Sequence, residues 1–128
     1  MKIEHIAIWV KDLEEMRNFY IKYFGASSNE RYHNPTKQFF SYFLSFPDGP
    51  CRLEIMSRPD ITFDSKKNEK GGITHFAFSL GSASKVDKLT EELRKDGFNI
   101  VGEPRTTGDG YYESVIQDPE GNRIEICA

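Results

Sequence analysis

Arg52-Leu53-Glu54-Ile55, in the middle of the chain, recurs near its end as Arg123-Ile124-Glu125-Ile126. Each run follows a turn signal, Pro47-Asp48-Gly49 before the first and Pro119-Glu120-Gly121 before the second. A tight turn feeding a short run of alternating apolar residues predicts a strand. Successive side chains on a strand point to opposite faces, so Leu53 and Ile55 share one face and Glu54 takes the other. Ile124, Ile126 and Glu125 follow the same pattern. Taken singly, each glutamate reads as part of an antiparallel sheet with one wet face. Taken together they point to a chain built of two copies of one unit.

The duplication extends upstream. His5-Ile6-Ala7-Ile8-Trp9-Val10 and His75-Phe76-Ala77-Phe78-Ser79-Leu80 each open an alternating strand on a histidine. Forty-nine positions separate His5 from Glu54 and fifty separate His75 from Glu125, so a His and a Glu recur at matched places in modules about 70 residues apart. Ile6, Ile8 and Val10, like Phe76, Phe78 and Leu80, form the apolar face and leave the histidine on the other. A lone strand histidine is most simply a surface or core residue. Two His and two Glu at duplicated positions are better explained by convergence on one ion, which makes His5, Glu54, His75 and Glu125 the candidate metal ligands.

Length and charge exclude several classes. A chain of 128 residues suits a single domain with a core that needs no disulfide or metal staple. The reading is one domain over 1–128, made of modules 1–58 and 73–128 joined by a linker, 59–72. A net charge of −3 and no Lys/Arg run interleaved with aromatics argue against a nucleic-acid partner. No apolar run approaches 18 residues, and His5 and Asp12 interrupt the only N-terminal candidate, so neither a membrane nor a secretory signal is expected. The expected location is the cytoplasm. Cys51 and Cys127 fit no Cys-x-x-Cys or zinc pattern and read as reduced packing residues.

In order, the first module predicts a strand over Ile3–Val10, then a helix capped by Asp12. Glu15 completes a capping-box pattern, Leu13, Met16, Tyr20 and Tyr23 or Phe24 face inward, and Gly25 ends the helix. A short strand around Glu30–His33, a turn at Asn34-Pro35-Thr36 and an aromatic strand over Gln38–Phe46 follow. His33 has no counterpart in the second module and reads as exposed or hydrogen-bonded rather than a ligand. The second module predicts a helix from about Ser84, as cap, to Asp96, with Val86, Leu89 and Leu93 buried and Gly97 as stop. Strands over Asn99–Glu103 and Tyr112–Gln117 complete it, so each module reads βαβββ. Arg58–Gly72 is a tether or a flap over a site, and Pro104–Gly110 a closing loop or a plain exposed turn.

The four duplicated residues, the helix-ending Gly25 and Gly97, and the ending Asp118-Pro119-Glu120-Gly121-Asn122-x-Ile124-Glu125 resemble the vicinal oxygen chelate superfamily, the glyoxalase and bleomycin-resistance fold. The resemblance covers essentially the whole chain and is closest to the short bacterial glyoxalase I type. It implies an α+β fold in which paired βαβββ modules form a cupped eight-stranded sheet around one divalent metal ion, and a homodimer. Relatives that cleave catechols use two His and one carboxylate, against which Glu54 argues. Epimerases of the family carry Gln at the place of Glu54, and antibiotic-binding members lack the ligands. The His/Glu/His/Glu set therefore implies a lyase of the lactoylglutathione lyase kind, with zinc, nickel or cobalt at each site. It would convert the hemithioacetal of a 2-oxoaldehyde and a thiol to a 2-hydroxyacyl thioester by proton transfer through an enediolate. Glu125 is the first choice of base and Glu54 the second, with no further cofactor.

Two positions depart from that pattern. Trp9 stands where such sequences have Arg, and Arg58 where they have Asn, and both places bear on glutathione. A glutathione hemithioacetal is thus one substrate candidate, with Arg58, Arg105 and Arg31 as the cations available for its carboxylates. Another metalloenzyme of the family, an epimerase or thiol transferase, is the alternative. So is a metal-free protein that sequesters a drug among Phe40, Tyr42, Trp9 and Tyr111.

Overall fold

The computed structural model describes residues 1–63 and 71–128. The chain forms two compact units, Met1–Asp64 and Ser65–Ala128. The expected linker lies partly outside the described residues. Among those residues no helix is long and apolar enough to cross a membrane.

In the first unit, β1 (His5–Trp9) leads to α1 (Leu13–Phe24), then β2 (Ser27–Ser28), β3 (Tyr32–Asn34), β4 (Phe39–Ser45) and β5 (Arg52–Ser57). The sheet runs β1-β5-β4-β2, with β3 also on β4; β1 and β5 are parallel and β4 and β5 antiparallel. The second unit repeats the plan. β6 (His75–Ser79), α2 (Ala83–Lys95), β7 (Ile100–Thr106), β8 (Tyr112–Gln117) and β9 (Arg123–Cys127) give a sheet of order β6-β9-β8-β7. Two mixed sheets with one helix each are the expected α+β class.

The described residues hold nine strands because the strand expected at Glu30–His33 forms only over Tyr32–Asn34 and a separate short strand, Ser27–Ser28, precedes it across a break at Asn29. Asn29 causes the break: its side-chain oxygen accepts the Phe43 N–H at 2.7 Å, a hydrogen bond the ladder would otherwise take from backbone. β1 is also shorter than expected, beginning at His5 rather than Ile3, and Ile3 is 65% exposed.

The helices show why they start and stop where they do. Asp12 caps α1 by accepting the Glu15 N–H at 2.9 Å, an interaction worth about 1 kcal/mol. Gly25, at φ 64°, provides the left-handed residue that ends it. The cap of α2 is Ser82, not Ser84: Ser82 sits in extended backbone and accepts from Lys85 N. Beyond Asp96, Gly97 at φ 88° lets its own N–H reach the Arg94 carbonyl and that of Phe98 reach Leu93, which satisfies the last carbonyls.

Alternation sorts the faces as expected. Tyr42, Leu44, Leu53 and Ile55 pack under Leu13, Met16, Phe19 and Tyr20 of α1; Ile116, Ile124 and Ile126 form the corresponding layer with Val86 and Leu93 of α2. Each such aliphatic side chain contributes roughly 1.5–3 kcal/mol when buried. Leu89 is only half-buried, and Thr90 takes the inward place. Its hydroxyl donates to the Val86 carbonyl at 2.7 Å and lies 2.7 Å from Ser114 Oγ, so a polar pair sits inside the layer with every partner satisfied.

Candidate metal centre

Strand register decides where the four expected ligands stand. In the first unit His5 pairs with Arg52 and Ala7 with Glu54, while Phe43 of β4 pairs with Glu54 from the other side. In the second, His75 pairs with Arg123, Ala77 with Glu125, and Val115 of β8 with Glu125. The register is identical in both units. His and Glu are therefore diagonal neighbours on the sheet face opposite the helix, and the intervening residue is alanine each time.

The side chains meet on those diagonals. His5 Nε2 is 3.9 Å from Glu54 Oε2, and His75 Nε2 is 3.4 Å from Glu125 Oε2. Two donors on one zinc-like ion, each at roughly 2.0–2.2 Å, stand about 3.0–3.4 Å apart. Both pairs suit a divalent ion in kind, an imidazole beside a carboxylate, and the second suits it in spacing as it stands. Among the described residues no group of three or more His, Cys, Asp or Glu side chains is placed to hold an ion, so each unit presents a pair.

The turn ahead of β9 explains the Asp118–Asn122 motif. Asp118 is buried; Oδ1 accepts the Glu120 and Asn122 N–H groups at 3.0 and 2.8 Å, and Oδ2 accepts Asn122 Nδ2 at 2.6 Å. Gly121 turns the chain at φ 79°. This closed loop sets the start of β9 and hence the position of Glu125.

Several site residues lie outside the duplicated pattern. Glu4 accepts from His5 Nδ1 and from Arg52 Nη2, and these contacts, the one to His5 first, hold its carboxyl below the usual range. Thr74 Oγ1 is 3.0 Å from His75 Nδ1. Glu113, two residues before Val115 and on the face of Glu125, is buried; burial and then the nearby Glu125 charge push its pKa up. Arg105 Nη2 stands 3.6 Å from Glu113 Oε1. A side chain at Gly102 would place its Cβ 3.1 Å from Arg105 Nη1, so glycine there leaves the guanidinium its place. A polar residue directly before each histidine was the available sequence signal for Glu4 and Thr74. Glu113 had none, since Ser41 holds the matching place in the first unit.

Other expectations resolve individually. His33 stacks on Phe40 at 4.2 Å. Arg58 pairs with Asp60 and lies over the Trp9 ring at 5.2 Å, while Arg31 lies over Phe40 at 5.1 Å. The aromatic set of the sequestering alternative does not converge: Tyr42 is buried and donates to Glu14 at 2.8 Å, and Phe40 shares its face, whereas Trp9 lies on the opposite one. Pro104–Gly110 is less a loop than expected, because β7 runs to Thr106. The rest is a closed turn in which Thr107 N–H donates to the Tyr111 carbonyl at 2.8 Å and Gly110 N–H to Thr107 at 2.9 Å. Both cysteines are free and half-buried, and burial raises the Cys127 thiol pKa.

With this geometry, comparison with known proteins is specific. A family model described as Glyoxalase/Bleomycin resistance protein/Dioxygenase superfamily matches residues 2–126. The chain is 30% identical to the uncharacterised Bacillus subtilis protein YwkD, over 97% of its own length and 94% of that protein. It is 26% identical to the lactoylglutathione lyase of Escherichia coli O157:H7, over 98% of its length and 91% of the enzyme's. Its fold matches the crystal structure of a glyoxalase family protein from Enterococcus faecalis with a TM-score of 0.80 at 23% identity, covering 99% of this chain and 97% of that one.

Proposed function

Since the chain belongs to the Glyoxalase/Bleomycin resistance protein/Dioxygenase superfamily, we propose that it is a divalent-metal-dependent lyase or isomerase of glyoxalase I type. The substrate class is the hemithioacetal of a 2-oxoaldehyde and a thiol, and the product a 2-hydroxyacyl thioester. One observation carries the reading: a His/Glu diagonal repeated in identical register, with Nε2 to Oε2 distances of 3.9 and 3.4 Å. The 26% identity to a lactoylglutathione lyase supports it.

His5, Glu54, His75 and Glu125 would hold zinc, nickel or cobalt, the full set drawing one pair from each unit, of one chain or of two. Such an ion would supply Lewis-acid stabilisation of negative charge developing on the substrate. The residues themselves divide the remaining work. His5 and His75 are fixed donors, each with its second ring nitrogen engaged. Glu125 would take the proton from one carbon and return it to the next, with Glu54 as the second candidate for that general base. Arg58, stacked on Trp9, and Arg105 are the cations offered to an anionic thiol, glutathione among the candidates. The two units act as a single domain in a cytoplasmic homodimer.

Metal analysis of protein purified without chelator, together with a panel of hemithioacetal, acyl-CoA and catechol substrates, tests the proposal. Near-stoichiometric divalent metal with hemithioacetal turnover is expected. Turnover of an acyl-CoA or catechol alone would move the chain to another enzyme of the superfamily, and a metal-free protein inactive even after metal is added would remove the enzyme reading.

A further inference from the structure

Both candidate histidines are engaged at Nδ1 by the residue immediately before them, Glu4 for His5 and Thr74 for His75. Neighbours on a regular strand point to opposite faces. Here β1 and β6 begin at the histidines, so Glu4 and Thr74 precede the regular strand and reach back. The two contacts differ in chemistry. A carboxylate only accepts hydrogen bonds, whereas a hydroxyl both donates and accepts.

The first unit adds a second layer of contacts. Arg52 pairs with His5 across the β1–β5 ladder, its backbone N–H donates to the Glu4 carbonyl at 3.0 Å, and its guanidinium donates to the Glu4 carboxylate. That guanidinium lies 4.2 Å from the centre of the Phe43 ring, and the His5 ring meets Phe43 edge-on, at 5.4 Å and 87°. Glu4 is thus held at both its backbone and its side chain while it touches the histidine.

We infer that Glu4 is a positioning residue: it accepts the Nδ1 proton of His5 and so fixes the tautomer that turns the Nε2 lone pair toward Glu54. Thr74 leaves the His75 tautomer open. The His5/Glu54 pair is then the firmer half of the ligand set and the His75/Glu125 pair the more adaptable one, a division that breaks the symmetry of the duplication. The consequence for an ion rests on the metal reading above; the tautomer does not.

The experiment uses the full metal-free chain with ¹⁵N-labelled histidine and long-range ¹H–¹⁵N NMR, which reads each tautomer directly. His5 is expected as the Nδ1–H form in the wild type and in Glu4→Gln, whose amide oxygen still accepts, and as the Nε2–H form in Glu4→Leu. Zinc titration against a chromophoric chelator should show Glu4→Leu binding roughly 10–100-fold more weakly, the usual effect of losing such a partner. Glu4→Gln should stay close to wild type, and Thr74→Val should lose less than Glu4→Leu. An Nε2–H tautomer of His5 in the wild type overturns the inference, as does a folded Glu4→Leu with tautomer and zinc affinity unchanged. If Glu4→Leu does not fold, the wild-type tautomer alone decides. A wild type that binds no zinc defeats the metal reading while the tautomer measurement still judges Glu4.

Discussion

His75 Nε2 reaches Glu125 Oε2 at 3.4 Å although the strand partner of Glu125 is Ala77, two residues further on. The contact is a diagonal one, available because residues two apart on a strand share a face. It leaves Glu125 next to an imidazole and also interacting with the buried Glu113.

Glu125→Gln removes the proposed proton acceptor and keeps an oxygen atom in its place. The variant is expected to retain bound metal and lose on the order of 10²–10⁴ in rate, the usual contribution of a general base. Metal content and turnover measured on one preparation check this. Near-wild-type turnover with metal still bound would pass the role to Glu54.

Mixing His5→Ala chains with Glu125→Ala chains tests assembly. Each variant lacks a proposed ligand from a different unit, so a site built from two chains would regain one intact set in a mixed dimer. Recovered activity is expected if sites form between subunits. No recovery, with mixed dimers confirmed by native mass spectrometry, assigns each site to a single chain.

Asp118→Ala strips three hydrogen bonds from the turn that sets β9. These bonds are part-buried, so water replaces some of what is lost and the expected destabilisation is about 1 kcal/mol. Urea unfolding should show that loss, and amide exchange should rise first at Asn122 and along β9. An unchanged unfolding midpoint would mean that the β8–β9 ladder alone sets the strand.

The placement of the four candidate residues was more legible in the sequence than that of their neighbours, for physical reasons visible at particular residues. Apolar alternation and duplication placed His5, Glu54, His75 and Glu125 on the open face because burial enforces register along a strand. The Asp12 cap was legible for a similar reason: one acidic residue stands directly before the apolar stripe. Ser82 and Ser84 both fit a cap by type, and only backbone geometry separates them. Thr90 was missed because a hydroxyl reads as outward-facing unless its partner, here Ser114 on a distant strand, is known. Glu4, Glu113 and Arg105 matter through contacts that depend on where strands begin and bulge, which composition does not encode.

Tyr42 supplies a pH-dependent stability test away from the ligands. Burial, and then its hydrogen bond to Glu14, raise its pKa above the unfolded value of 10.0. For an acid so shifted, the fold favours the protonated form, so its contribution is complete below the unfolded pKa and is lost as pH rises through the folded one. Tyr42→Phe should be less stable than wild type near neutrality, by about 0.5–1.5 kcal/mol. The difference should shrink at strongly alkaline pH, and the variant's absorbance titration should lack one late-ionising tyrosine. A difference constant with pH would show that the hydroxyl does not titrate as its surroundings imply.

Ala7 and Ala77 stand in the row beside the two glutamates, exposed in both units. A methyl group fills almost nothing, so each ligand pair opens onto space bounded by the smallest side chain that still keeps strand backbone geometry. For an engineer of the proposed site these two alanines would be steric valves: enlarging either would crowd its His/Glu pair without altering a donor atom.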